Sequence, residues 1–206
     1  MMPTASTGGS ILSGADGRGV PEAVRQAAQL ELWRRDFLRF AEACLWIATK
    51  DRGLIRFVPY PFQRRLAEAC ADQLAATGRI RQIWLKSRQI GSSTLAQALL
   101  FWRTILNPHT SALLVAHDTG TAQTLFHMAR RFYEKLPPDW RPMVRHSTKQ
   151  ELYFANPTEK SRTLGLNSRI VVATARNVHS GAGSTLHGLV LSEAARYVNP
   201  KEIESS

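Results

Sequence analysis

Between Ile83 and Trp102 the chain changes character twice. A short apolar run, Ile83-Trp84-Leu85, gives way to a small, polar stretch, Lys86-Ser87-Arg88-Gln89-Ile90-Gly91-Ser92-Ser93-Thr94. That stretch passes into an apolar-periodic run, Leu95-Ala96-Gln97-Ala98-Leu99-Leu100-Phe101-Trp102. The order reads as strand, tight loop, helix. A loop so placed aims backbone N–H groups and the positive end of a helix dipole at one point, which makes an anion site. The common phosphate-loop pattern is G-x-x-x-x-G-K-[ST]. Gly91 and Ser93 match its second glycine and its metal-binding hydroxyl. Lys86 stands in place of the first glycine, and Ser92 occupies the lysine position. Taken alone, Gly-Ser-Ser-Thr is more simply an N-cap with a tight turn. The flanking strand and helix favour the phosphate loop.

The segments around it repeat the alternation. Ser111-Ala112-Leu113-Leu114-Val115-Ala116 reads as a buried strand, and Thr119 to about Leu136 as a helix with Ala122, Leu125, Phe126, Ala129 and Phe132 inward. Strand–helix–strand–helix order predicts an α/β fold with a mainly parallel sheet covered on both faces and sites at the carboxyl ends of its strands. His117-Asp118 falls at such an end; a helix cap by Asp118 is preferred to a metal pair, since no further ligands are spaced for one. Leu152-Tyr153-Phe154 and Ile170-Val171-Val172-Ala173 read as strands that either pair with each other or extend the sheet. Leu189-Val190-Leu191 is a strand ending in Ser192-Glu193. A carboxylate at a strand tip beside a phosphate loop is placed to orient and deprotonate an attacking water; a lone surface glutamate is the competing reading.

Upstream, Met1 to about Val20 is rich in Gly, Ser, Thr and Ala and reads as a disordered tail. Residues 21–58 form a helical segment whose apolar face runs Leu30, Trp33, Phe37, Phe40, Cys44 and Ile47, with Asp36 able to cap a restart. Asp51-Arg52-Gly53 ends it. Pro59-Tyr60-Pro61-Phe62-Gln63 precedes a helix from about Arg64 to Thr77 that stops at Gly78. A ring face and a planar amide fixed by two prolines suit a base, adenine above all; Gln63 as an ordinary residue at a helix start is the alternative. Residues 59–206 read as the nucleotide-binding domain.

The net charge of +11 favours a polyanionic partner, nucleic acid before membrane, or serves solubility alone. Arg34, Arg35 and Arg39 read as a solvated face, and arginines between Trp140 and Arg145 as possible contacts to DNA. The two cysteines, Cys44 and Cys70, are far apart and read as reduced core residues of a cytosolic protein. No apolar run approaches the ~20 residues of a membrane span, and the N-terminus lacks a signal-peptide pattern.

These motifs resemble the ATPase half of the large terminase subunit of tailed bacteriophages, over roughly Asp36 to Tyr197. The likeness rests on Lys-Ser-Arg-Gln-Ile-Gly-Ser-Ser-Thr, on Pro59-Tyr60-Pro61-Phe62-Gln63 as an adenine motif, and on Leu189-Val190-Leu191-Ser192-Glu193 as a Walker B strand. Some terminases carry the loop lysine at its start, which accounts for Lys86 and Ser92 together. The resemblance implies a P-loop fold of the ASCE, RecA-like type, ATP and Mg²⁺ as cofactors, and packaging of double-stranded DNA. It further implies a portal protein and small terminase subunit as partners, a homo-oligomeric ring, and action in the host cytoplasm. It makes Glu193 the catalytic base, and has Lys86 and Arg88 contact the phosphates. Tyr60, Gln63, Ser87, Gln89, Gly91, Ser92 and Thr94 line the nucleotide, and Ser93 holds Mg²⁺. Ser192 stands where an aspartate is usual, so the ion is held through water.

The family's coupling segment, on a strand after Walker B, and its nuclease domain find no match here. On that comparison the sheet lacks a central strand and leaves exposed edges. Two other readings stay open: a helicase-like DNA-dependent ATPase, and a non-catalytic DNA-binding or assembly module.

Overall fold

The computed structural model describes residues 21–49, 51–85, 90–158, 165–176 and 185–197. The N-terminal tail, Lys86 to Gln89, and most of the loop holding His179, Gly181 and Gly183 lie outside the described residues.

Two helices open the fold. α1 (Glu22–Arg35) and α2 (Phe37–Cys44) are separated by Asp36, which leaves helical geometry. Its Oδ1 accepts the Arg39 N–H at 3.0 Å, so the residue ends one helix and caps the next, as its position in the sequence implies. The apolar face then departs from expectation. α2 stops at Cys44, and Ile47 lies on β1 (Trp46–Thr49), paired antiparallel with β2 (Gly53–Arg56). Cross-strand packing of Ile47 on Ile55 and the Arg56 guanidinium 4.5 Å over Trp46 outweigh one more helical turn.

α3 (Pro61–Thr77) begins with proline at its first turn and ends at Gly78, whose φ of 69° closes the helix. α4 (Ser92–Leu106), β3 (Ser111–Ala116) and α5 (Thr119–Glu134) follow. The chain then makes β4 (His146–Ser147), β5 (Glu151–Phe154), β6 (Ser168–Thr174) and β7 (Gly188–Leu191). The main sheet has the order β4-β5-β6-β3-β7. β3 runs parallel to both β6 and β7, while β4–β5 and β5–β6 are antiparallel. The sheet is therefore mixed. Leu152-Tyr153-Phe154 and Ile170 to Ala173 do both things open to them: they pair with each other, and they extend the sheet.

The period of two along β3 sorts its side chains into two layers. Ala112, Leu114 and Ala116 join the main core, with Phe40 of α2, Ala67 of α3, Leu95 and Phe101 of α4, and Phe126 and Phe132 of α5. Leu113 and Val115 face the other way and form a smaller cluster with Ala173, Val171, Ala175 and Tyr197. All five described α-helices contribute to the first cluster and none to the second. Coverage of both faces by helices is thus not what the described residues adopt.

A second correction concerns the run before the loop. Ile83-Trp84-Leu85 is not a strand. Trp84 leans on the main core, while Ile83 is 96% and Leu85 100% exposed. A strand needs a neighbour to take its N–H and C=O groups, and among the described residues none pairs with this run. Among the described residues β7 likewise has a partner on one side only, with Leu189 and Leu191 half exposed.

Both cysteines are free and buried. Burial pushes the Cys44 thiol up to about 12, opposed by the nearby Arg56 charge, so it stays a protonated packing group.

Candidate nucleotide site

α4 leads out of the glycine-rich stretch. Gly91 sits at φ 74°, a conformation open to glycine, and the helix has no side-chain cap. The first-turn N–H groups of a fifteen-residue helix thus converge without a protein acceptor from that source. Ser92 is 2% exposed, and its Oγ is buried with no hydrogen-bond partner among the described residues. A buried hydroxyl without a partner costs about 1–3 kcal/mol unless something else completes it. Ser93 and Thr94 follow, half-buried, on the same turn.

Behind this turn stands Gln63. It is 2% exposed, and its amide is engaged at both ends. Oε1 accepts the Tyr60 N–H at 2.8 Å, and Nε2 donates to the Gly91 carbonyl at 2.8 Å. The residue expected to meet a base is thus turned inward and ties the proline-flanked turn to the loop. Tyr60 is the outward member: it is 64% exposed, with its ring stacked against Phe62 at 6.4 Å and 16°.

The second half of the site lies where β3 and β7 end side by side, Val115 opposite Leu191. The next residues are His117 on one strand and Ser192-Glu193 on the other. The Ser192 N–H extends the ladder to the Val115 carbonyl at 2.8 Å, and its side chain is buried. Glu193 has φ 57° and ψ 44°, a left-handed conformation costly for a side-chain-bearing residue. That backbone turns its carboxylate towards His117, whose Nδ1 lies 3.4 Å from Glu193 Oε2, and towards Arg196, whose Nη1 lies 3.3 Å from the same oxygen. His117 Nε2 lies against the Asp118 carboxylate. The Thr121 backbone N–H, at 2.8 Å, is the main cause that holds the Asp118 carboxyl below its usual range, and this is the cap anticipated for α5.

The two halves share one end of the sheet. α4 packs on β3, β6 and β7 and feeds β3 through a short turn, so it runs back against the strands. Leu100 lies against Gly188 at the start of β7, which directs the start of α4 towards the strands' carboxyl ends. Lys86, Ser87, Arg88 and Gln89 lie outside the described residues. His117 and Arg196 were not singled out as partners of Glu193. The available signals were His117 directly following a buried strand, and Arg196 three residues after the glutamate.

Among the described residues no cluster of His, Cys, Asp or Glu could by itself hold a metal ion. Mg²⁺ bound with a nucleotide takes most of its oxygens from phosphate and water, and the hydroxyls of Ser93 and Ser192 are of the right kind to add to them. The open helix start and the Ser92 hydroxyl fit an anionic ligand. Two surface hollows of about 350 and 360 Å³ lie elsewhere and include none of these residues; both carry arginines, Arg130 and Arg131 in one and Arg79 and Arg81 in the other.

No protein-family model matches the chain, and no curated protein matches it. Among solved structures, the chain is similar to the ATPase domain of the large terminase of Thermus phage P74-26, at 19% identity and a TM-score of 0.43. The match covers 52% of this chain and 46% of that one, so it spans about half of each. No described helix is long and apolar enough to cross a membrane.

Proposed function

We propose that this chain is the ATP-hydrolysing part of a DNA-packaging motor of the terminase type. The observation that carries the nucleotide reading is the start of α4: a helix without a side-chain cap, whose first residue buries a hydroxyl with no partner among the described residues. A phosphate group would complete both. In this reading the loop backbone and Ser92 hold the phosphates, with Lys86 and Arg88 assigned from the sequence to the same group. Tyr60 stacks on the base. Mg²⁺, when bound, neutralises charge on the phosphates, with Ser93 and Ser192 as its protein-side oxygens.

Glu193 takes the proton of the attacking water. Its backbone conformation aims the carboxylate, Arg196 holds it, and His117 lies beside it. The packaging role draws support from the three motifs and their order along the chain, and from the net charge of +11, which suits a DNA backbone.

The test is phosphate release from Mg-ATP by the wild-type chain and by Glu193→Gln, with and without duplex DNA. Hydrolysis that falls by 10²-fold or more in Glu193→Gln, on the scale of removing a positioned base, supports the reading. Equal rates in both proteins refute the role of Glu193. Unwinding of the duplex would move the assignment to a helicase-like ATPase.

A further inference from the structure

We propose that Gln63 is a positioning residue that aims the phosphate loop, and that it does not read the nucleotide base; the inference rests on the nucleotide-binding reading above. A glutamine that recognises adenine uses its carbonyl and its amino group together, one accepting and one donating. Here both atoms already have partners inside the protein: Oε1 takes the Tyr60 N–H, and Nε2 gives to the Gly91 carbonyl, each at 2.8 Å. The residue is 2% exposed. To turn towards a base it would abandon two good hydrogen bonds in order to make two.

The bond to Gly91 has a mechanical effect on the loop. The Gly91 carbonyl accepts a second hydrogen bond, from Leu95 N–H at 3.1 Å, the first bond of α4. Two donors on one oxygen fix the direction of that carbonyl. The peptide is planar, so the Ser92 N–H on the other side of the same bond points the opposite way. Gln63 thereby sets where the first N–H of the helix aims, beside the unpartnered Ser92 hydroxyl. Glycine leaves room for this contact: an added Cβ would stand 2.8 Å from Gln63 Nε2 and displace the amide. What remains for the base is the exposed Tyr60 ring and its neighbour Phe62. Stacking of this kind accepts any base. The site therefore takes nucleoside triphosphates with little preference among their bases.

The experiment is a calorimetric titration of ATP, GTP and inorganic tripolyphosphate, each with Mg²⁺, into the 206-residue chain, wild type beside Gln63→Ala and Gln63→Glu. Wild type should bind ATP and GTP within about threefold of each other, as stacking without edge contacts implies. Gln63→Ala should weaken all three ligands by a common factor of about fivefold, the equivalent of one neutral hydrogen bond. Gln63→Glu keeps an acceptor for Tyr60 N–H but sets an oxygen against the Gly91 carbonyl. It should show the same common loss when titrated well below its own ligand-free melt, where the chain is folded, which separates aiming from folding. It also carries the comparison if Gln63→Ala does not fold. A loss confined to ATP would restore the base-reading role and overturn the proposal. Unchanged affinities in both variants would overturn it as well. A wild-type chain that binds none of the three ligands would refute the nucleotide reading itself, and this inference with it.

Discussion

Replacing Gly91 by alanine tests the geometry of the loop exit without any ligand. Two costs add. The φ of 74° places an alanine in the left-handed region, which costs about 1–2 kcal/mol. Its Cβ would lie 2.8 Å from Gln63 Nε2, inside any real contact, so the amide must move and give up its bond to the Gly91 carbonyl, at about 1 kcal/mol. The sum is about 2–3 kcal/mol. For a chain of this length each kcal/mol lowers the melting temperature by about 2–4 °C, so the expected drop is about 4–12 °C. The assay is a melt followed by circular dichroism without nucleotide, at low micromolar protein and over a tenfold concentration range. The same substitution made in a Gln63→Ala background meets no amide, so its cost should shrink by about 1 kcal/mol, to the backbone part alone. Equal costs in the two backgrounds would refute the contact. A melting temperature unchanged by Gly91→Ala would refute the left-handed turn as well.

Two further outcomes follow from the packing. Phe101, fully buried between α4 and α5 and 5.5 Å from the Phe132 ring, should cost about 3–5 kcal/mol when cut to alanine, read as a fall in the urea midpoint. Leu191→Lys, on the one-sided and half-exposed β7, should lower concentration-dependent light scattering at unchanged stability, because a charge blocks edge pairing; scattering that does not change would show that the edge is not where copies meet.

The readable parts of the fold were those set by neighbours in sequence. Asp36 and Asp118 cap because a short acceptor immediately precedes a helical run, and Gly78 closes α3 because glycine alone enters the left-handed region cheaply. The unreadable parts depend on distant partners. Ile83-Trp84-Leu85 has the composition of a strand but no described strand beside it, and composition carries no information about who is adjacent. Ile47 fits a helical face equally well as a hairpin, and only Ile55 across the ladder decides. In the site, Glu193 was visible as a carboxylate ending an apolar run. Its backbone conformation and its contact with His117, a long way back in the chain, arise from parallel pairing that periodicity does not report. Gln63 was found for its chemistry, yet its bond to Gly91 turns that chemistry inward.

Among the described residues β3 is bonded along both edges and buried on both faces, whereas β7 is bonded along one edge and half exposed. His117 extends the first strand and Glu193 the second. The 3.4 Å between them thus joins a fixed post to a compliant arm. Any change in that spacing is a displacement of the carboxylate against a stationary imidazole. The stiffness of the sheet is graded across the very pair of side chains on which the proposed chemistry turns.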